Sequence, residues 1–144
     1  MTDMQIIAKN EKDTANFAGK IASNAKNGDI YCLHGNLGAG KTSFSRAFIQ
    51  SLTSDTTEVP SPTFTLVQTY DTQDFSIWHF DLYRLEGPEE VYELGWEEAL
   101  SDNVLLIEWP EKAETLIPNT AHHIYITIDD DETRTIRIEK KQNA

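Results

Sequence analysis

One stretch restricts the fold of this chain more than any other. It is Gly35-Asn36-Leu37-Gly38-Ala39-Gly40-Lys41-Thr42, a complete G-x-x-x-x-G-K-[ST] phosphate-binding loop. Glycines allow backbone angles that side chains forbid, so the loop N–H groups can close around phosphate oxygens. Lys41 can reach the β- and γ-phosphates, and the Thr42 hydroxyl can hold Mg²⁺. Such a loop works only between a strand that ends and a helix that begins, because the helix N-terminus adds its positive end to the same site. Both flanks are present. Asp29-Ile30-Tyr31-Cys32-Leu33-His34 has the look of a short buried strand, and apolar residues at 44, 47, 48, 49 and 52 have helical spacing. The candidate nucleotide-binding residues are therefore Gly35, Gly38, Ala39, Gly40, Lys41, Thr42 and Ser43.

The chain has 144 residues, which suits a single domain spanning 1–144 with a core of its own. No apolar run approaches the roughly 20 residues of a membrane helix. The start, Met1-Thr2-Asp3-Met4, lacks the basic and apolar regions of a signal peptide. The lone Cys32 has no internal disulfide partner and is expected to be simply buried. These features lead to the expectation of a cytoplasmic protein with no membrane contact. The net charge of −12 argues against direct, tight binding of a polyanion, which needs Lys and Arg against its phosphates.

Along the chain, residues 10–27 read as a helix with Phe17, Ala18, Ile21, Ala22 and Ala25 on one stripe and Gly28 as its stop. Residues 29–34 form the strand entering the loop and residues 42–52 the helix leaving it. Residues 63–70 and 75–81 alternate around a turn at 71–74, the pattern of an antiparallel pair. Gly87-Pro88 opens an acidic helix, with Val91, Leu94, Ala99 and Leu100 facing the core. Val104-Leu105-Leu106-Ile107 is apolar throughout, as in a strand buried on both faces. Residues 124–128 and 133–138 alternate around Asp129-Asp130-Asp131-Glu132, forming a C-terminal hairpin. The expected architecture is an α/β fold: a three-layer phosphate-loop domain whose sheet mixes parallel and antiparallel strands.

A phosphate loop needs an acid at the end of a neighbouring strand to reach Mg²⁺ directly or through water. Glu108 ends the apolar run 104–107 and is the leading candidate. Asp81 ends the strand before it, within His79-Phe80-Asp81-Leu82-Tyr83-Arg84, where a carboxylate can reach the metal through water or orient the attacking water. The candidate catalytic set is Lys41, Asp81 and Glu108, and the candidate metal set is Thr42, Asp81 and Glu108. His79 alternates with Trp78 and Phe80, so it reads as packed or half-exposed. Ser61-Pro62-Thr63 ends a long polar connector, where related folds place a switch that senses the γ-phosphate. As loop material, Thr63 is equally well explained without a role.

Taken together, these motifs resemble the TsaE (YjeE) family. The matching pieces are the phosphate loop, Ser61-Pro62-Thr63-Phe64-Thr65-Leu66-Val67, His79-Phe80-Asp81-Leu82-Tyr83-Arg84-Leu85 and Ile107-Glu108-Trp109-Pro110-Glu111. Their order covers about residues 10–128. The resemblance implies a cytoplasmic ATPase, weak alone, that works with TsaB and TsaD. Its cycle supports the threonylcarbamoyl modification (t6A) at adenosine 37 of tRNAs reading codons that begin with A. The resemblance also implies ATP and Mg²⁺ as ligands, Mg²⁺ served by Thr42 and Glu108, and Asp81 needed for hydrolysis. It places Thr14 in the adenine pocket and makes tRNA an indirect partner, reached through the complex. Arg134 is a further candidate near the base.

Three other readings compete. A GTPase normally carries an Asn-Lys-x-Asp motif, and Asn10-Glu11-Lys12-Asp13 has neither the order nor the place for it. A small-molecule kinase closes an arginine-bearing lid, and Arg46, Arg84, Arg134 and Arg137 are not clustered in sequence. A non-catalytic nucleotide-dependent binding module would use both acids to hold Mg²⁺ without activating water.

Overall fold

Alternation along the central strands decides the layers. The computed structural model describes residues 4–36, 38–61 and 65–140. Among these, β1 (Met4–Ala8), β2 (Ile30–His34), β3 (Val67–Asp71), β4 (Ser76–Asp81), β5 (Val104–Glu108), β6 (His122–Ile128) and β7 (Arg134–Glu139) form one sheet. Its order is β1-β7-β6-β2-β5-β4-β3. Strands β6, β2, β5 and β4 run parallel, and antiparallel pairings at both ends add β7, β1 and β3. The fold is therefore α/β with a mixed sheet, as expected from the sequence.

Odd and even residues of the central strands go to opposite layers, as a two-residue period requires. Tyr31, Leu33, Val104 and Leu106 face the helices α1 (Glu11–Ser23) and α2 (Lys41–Leu52), meeting Phe17, Ile21, Phe44 and Phe48. Ile30, Cys32, Leu105 and Ile107 face the other way. They are covered by a 3₁₀ helix at Pro88–Leu94, the short α3 (Trp96–Ala99) and a second 3₁₀ helix at Pro110–Leu116. Phe44 and Phe48 are fully buried, each contributing about 1.5–3 kcal/mol by burial alone. They anchor α2, and with it the loop ahead of it. Burial pushes the Cys32 thiol up to about 12, so it stays protonated and acts as a packing group.

Several boundaries differ from the sequence reading. The first helix ends at Ser23, with its last carbonyls met by the Asn24 N–H, rather than running to Gly28. Its start is fixed by Asn10, whose side chain accepts from the Asp13 N–H at 2.9 Å. Strand β3 starts only at Val67, because Leu66 takes a positive φ of 68° that breaks the extended run. Thr63 and Phe64, read as part of that strand, lie outside the described residues. The acidic helix is two short pieces, broken at Gly95 with φ 84°, and Leu100 is 37% exposed rather than in the core. Strand β1 was not anticipated. Its pattern is a weak alternation, and it forms by pairing with β7, from Met4 opposite Ile138 to Ala8 opposite Arg134.

Candidate functional site

The parallel register brings the chemistry together. Leu33, near the end of β2, lies opposite Glu108, and Glu108 lies opposite Asp81. The three strands thus end side by side where α2 begins, the place at which open α/β sheets bind ligands. Here one cavity of about 280 Å³ is lined by Lys41, Thr42, Asp81, Glu108 and Trp109. A wider cleft of about 650 Å³ lies beside His34, Glu111 and His123, but its lining includes neither Lys41 nor the strand-end acids.

The loop is shaped by glycine at two demanding positions. Gly40 has φ 108° and caps α2 without a side chain, which leaves the first helical N–H groups without a side-chain cap. At Gly35 a Cβ would come within 2.8 Å of the Ile126 carbonyl oxygen, so any side chain would push the loop off β6. Lys41 is buried, and its Nζ donates to the Gly35 carbonyl oxygen. Its ammonium also sits 3.4 Å from the centroid of the Trp109 ring. Burial lowers the Lys41 pKa, and the carboxylates of Glu108, Glu111 and Asp81 oppose that shift. Trp109 reaches its place through a left-handed backbone, φ 59° and ψ 52°, which costs about 1–2 kcal/mol for a residue with a side chain. The turn aims the ring back over the lysine and against Tyr83, with ring centroids 4.8 Å apart.

The acids are buried and tied down. Glu108 is 2% exposed. Its Oε1 accepts from Thr42 Oγ1 at 2.9 Å and its Oε2 is 2.6 Å from His79 Nε2. Asp81 is 6% exposed, and its Oδ1 accepts from the Tyr83 N–H at 3.0 Å. Thr42 turns its proton to Glu108, which leaves hydroxyl lone pairs for a cation. Hydroxyl and carboxylate oxygens are the donors that Mg²⁺ takes. Among the described residues no group of three or more His, Cys, Asp or Glu is arranged to hold a metal unaided.

On the opposite side of the loop a second cavity of about 170 Å³ is lined by Asn10, Thr14, Gly40, Ser43 and Arg134. Thr14 is 8% exposed on α1. Arg134 Nε donates to the Ala39 carbonyl oxygen at 2.9 Å, so the C-terminal hairpin grips the loop directly. Every candidate residue outside position 63 thus lies on one of two adjoining cavities or on the loop between them. Thr63 lies outside the described residues.

His79 is the neighbour of the candidate site that the sequence reading missed. It is packed, as alternation suggested, but it is bonded to Glu108 rather than merely enclosed. The available signal was its spacing of two from Asp81, which puts both side chains on one face of β4.

Residues 8–136 match the family described as threonylcarbamoyl adenosine biosynthesis protein TsaE. A Rickettsia bellii protein named tRNA threonylcarbamoyladenosine biosynthesis protein TsaE is 46% identical over 138 residues, covering 96% of each chain. The protein of the same name from Bacillus subtilis is 37% identical over 128 residues, covering 88% of this chain and 79% of its own. The crystal structure of Bacillus subtilis YdiB superposes with a TM-score of 0.79 at 29% identity, covering 99% of this chain and 88% of that one. With the phosphate loop, the two strand-end acids and the tryptophan turn already in place, these likenesses are enough: the chain belongs to the TsaE family of threonylcarbamoyladenosine biosynthesis proteins.

Proposed function

We propose that this chain is a single-domain ATPase that binds and hydrolyses Mg²⁺-ATP. In this reading it works with TsaB and TsaD in the cytoplasm to support threonylcarbamoylation of adenosine 37 in tRNA. The observation that carries the reading is the convergence of Lys41, Thr42, Asp81 and Glu108 on one cavity at the start of α2. The names of the relatives supply the pathway.

Thr42, with Glu108 and Asp81 beside it, would hold Mg²⁺, which would supply charge neutralisation at the phosphates. The chain's own groups do the rest. The N–H groups at the start of α2 and the Lys41 ammonium take the phosphates, for which Lys41 must leave the Gly35 carbonyl. Thr42 presents its oxygen while Glu108 holds its proton. Asp81 is positioned to accept a proton from, or to orient, an attacking water. Thr14 and Arg134 line the cavity on the far side of the loop, which in this reading takes the base of the nucleotide. A binding module that held the cation with both acids would release no phosphate, which separates it from this reading.

A net charge of −12 favours an indirect relation to tRNA. No helix among the described residues is long and apolar enough to cross a membrane. Phosphate release should be slow for the chain alone and should rise when TsaB and TsaD are added. Absence of ATP binding in calorimetry would refute the reading. Tight tRNA binding by the chain alone in a filter assay at physiological salt would refute its indirect part.

A further inference from the structure

His79 is fully buried, so its polar ring needs a partner inside the protein. Its Nε2 lies 2.6 Å from Glu108 Oε2. Its Nδ1 is buried and has no hydrogen-bond partner among the described residues. The tautomer follows from these facts. A proton on Nδ1 would strand a buried donor and set a ring lone pair against a carboxylate oxygen. A proton on Nε2 makes a short bond to the carboxylate and strands only an acceptor.

Parity places the group. His79 and Asp81 are two apart on β4, while Leu106 and Glu108 are two apart on β5, and the strands pair as His79 with Leu106 and Asp81 with Glu108. All four side chains therefore share the face covered by α2. Glu108 is held at both oxygens, by Thr42 on one and His79 on the other. Without His79, rotation of the terminal carboxylate would be restrained only by Thr42, a residue that must also serve the cation.

We propose that His79 is a positioning residue: through its Nε2–H it locks the Glu108 carboxylate so that Thr42 is oriented for the cation before nucleotide arrives. The proposal rests on the Mg²⁺-nucleotide reading above. A buried histidine kept only for packing would not couple to Glu108.

Two measurements test it. In the metal-free, nucleotide-free protein, long-range ¹H–¹⁵N NMR should show a proton on His79 Nε2. A ring protonated at Nδ1 with Nε2 bare overturns the proposal. Calorimetry of ADP binding across a Mg²⁺ titration gives the second. His79→Leu should raise the Mg²⁺ needed for half-maximal binding by about 10-fold or more, the range for loss of a ligand's outer partner. Metal-free ADP affinity should stay within about 2-fold of wild type, because the phosphate contacts of the loop are untouched. His79→Gln, which returns an N–H near Nε2, should restore most of the Mg²⁺ dependence. In a Glu108→Gln background His79→Leu should add nothing further. An unchanged Mg²⁺ dependence in folded His79→Leu, or an equal shift in the Glu108→Gln background, overturns the proposal. If His79→Leu does not fold, His79→Gln and the NMR tautomer decide it. Failure of the wild-type protein to bind ADP with Mg²⁺ would instead sink the functional reading, while the tautomer still tests the His79–Glu108 bond.

Discussion

The two flanks of the phosphate loop are built in opposite ways. On the inner flank Thr42, Asp81 and Glu108 come from α2 and the parallel strands, and both carboxylates are buried and hydrogen-bonded. On the outer flank Thr14 comes from α1 and Arg134 from an antiparallel hairpin at the sheet's periphery. A buried, doubly held carboxylate can be aimed, because its neighbours leave it one orientation. Arg134 instead donates to two backbone carbonyls, Ala39 on the loop and Glu132 on its own hairpin, so it clamps the loop from outside. On the proposed reading, chemistry belongs to the inner flank and affinity to the outer one.

The harshest test removes the group between them. Lys41→Ala should reduce turnover to background. It should also weaken nucleotide binding by about 10- to 150-fold, the loss of one charged hydrogen bond of roughly 1.5–3 kcal/mol. Near-normal ATP binding by this variant in calorimetry would mean that the loop is not the nucleotide site.

Next come the inner acids. Asp81→Ala should slow hydrolysis by about 100-fold or more, the usual share of a positioned proton acceptor, with nucleotide affinity little changed. Glu108→Ala should also lower turnover but, unlike Asp81→Ala, should blunt the Mg²⁺ dependence of binding, because Glu108 holds Thr42. Wild-type turnover in both variants would erase the inner half of the comparison.

The outer flank should respond more gently. Arg134→Ala removes the bond to the Ala39 carbonyl and a wall of the second cavity. Nucleotide binding should weaken by about 2- to 10-fold, one ordinary hydrogen bond, with the rate at saturation unchanged. A fall in that rate larger than the fall in affinity would show that the hairpin also shapes the chemistry.

The smallest expected effect is optical. Lys41 rests on the Trp109 ring and must leave it to meet phosphate, so nucleotide should change tryptophan emission. Trp109→Phe should abolish that change with little cost in turnover. A signal that survives would pass the reporter role to Trp78 or Trp96.

Much of the inner flank was legible in the chain. The loop motif names its own strand and helix. An apolar run ending in Glu108, preceded by a strand ending in Asp81, is a local pattern that needs no partner to be read. His79 was not legible in the same way. Its neighbours Trp78 and Phe80 made it look like a packing residue, and only the register with β5 shows that its ring meets Glu108. Strand β1 escaped for a related reason: five residues with weak alternation carry little signal, and their state is settled by pairing with β7.

By itself, then, the sequence determined that a strand, a phosphate loop and a helix occur in that order, and that two acids end nearby strands. Backbone freedom at glycine, hydrophobic period and helix spacing are properties of short segments, so they survive without a fold. The tertiary structure decided which acid stands beside Thr42, that His79 holds that acid, and that Arg134 reaches Ala39 across 95 positions of sequence. Those facts depend on strand order and register, which arise when distant segments bury one another, and no local period encodes the partner.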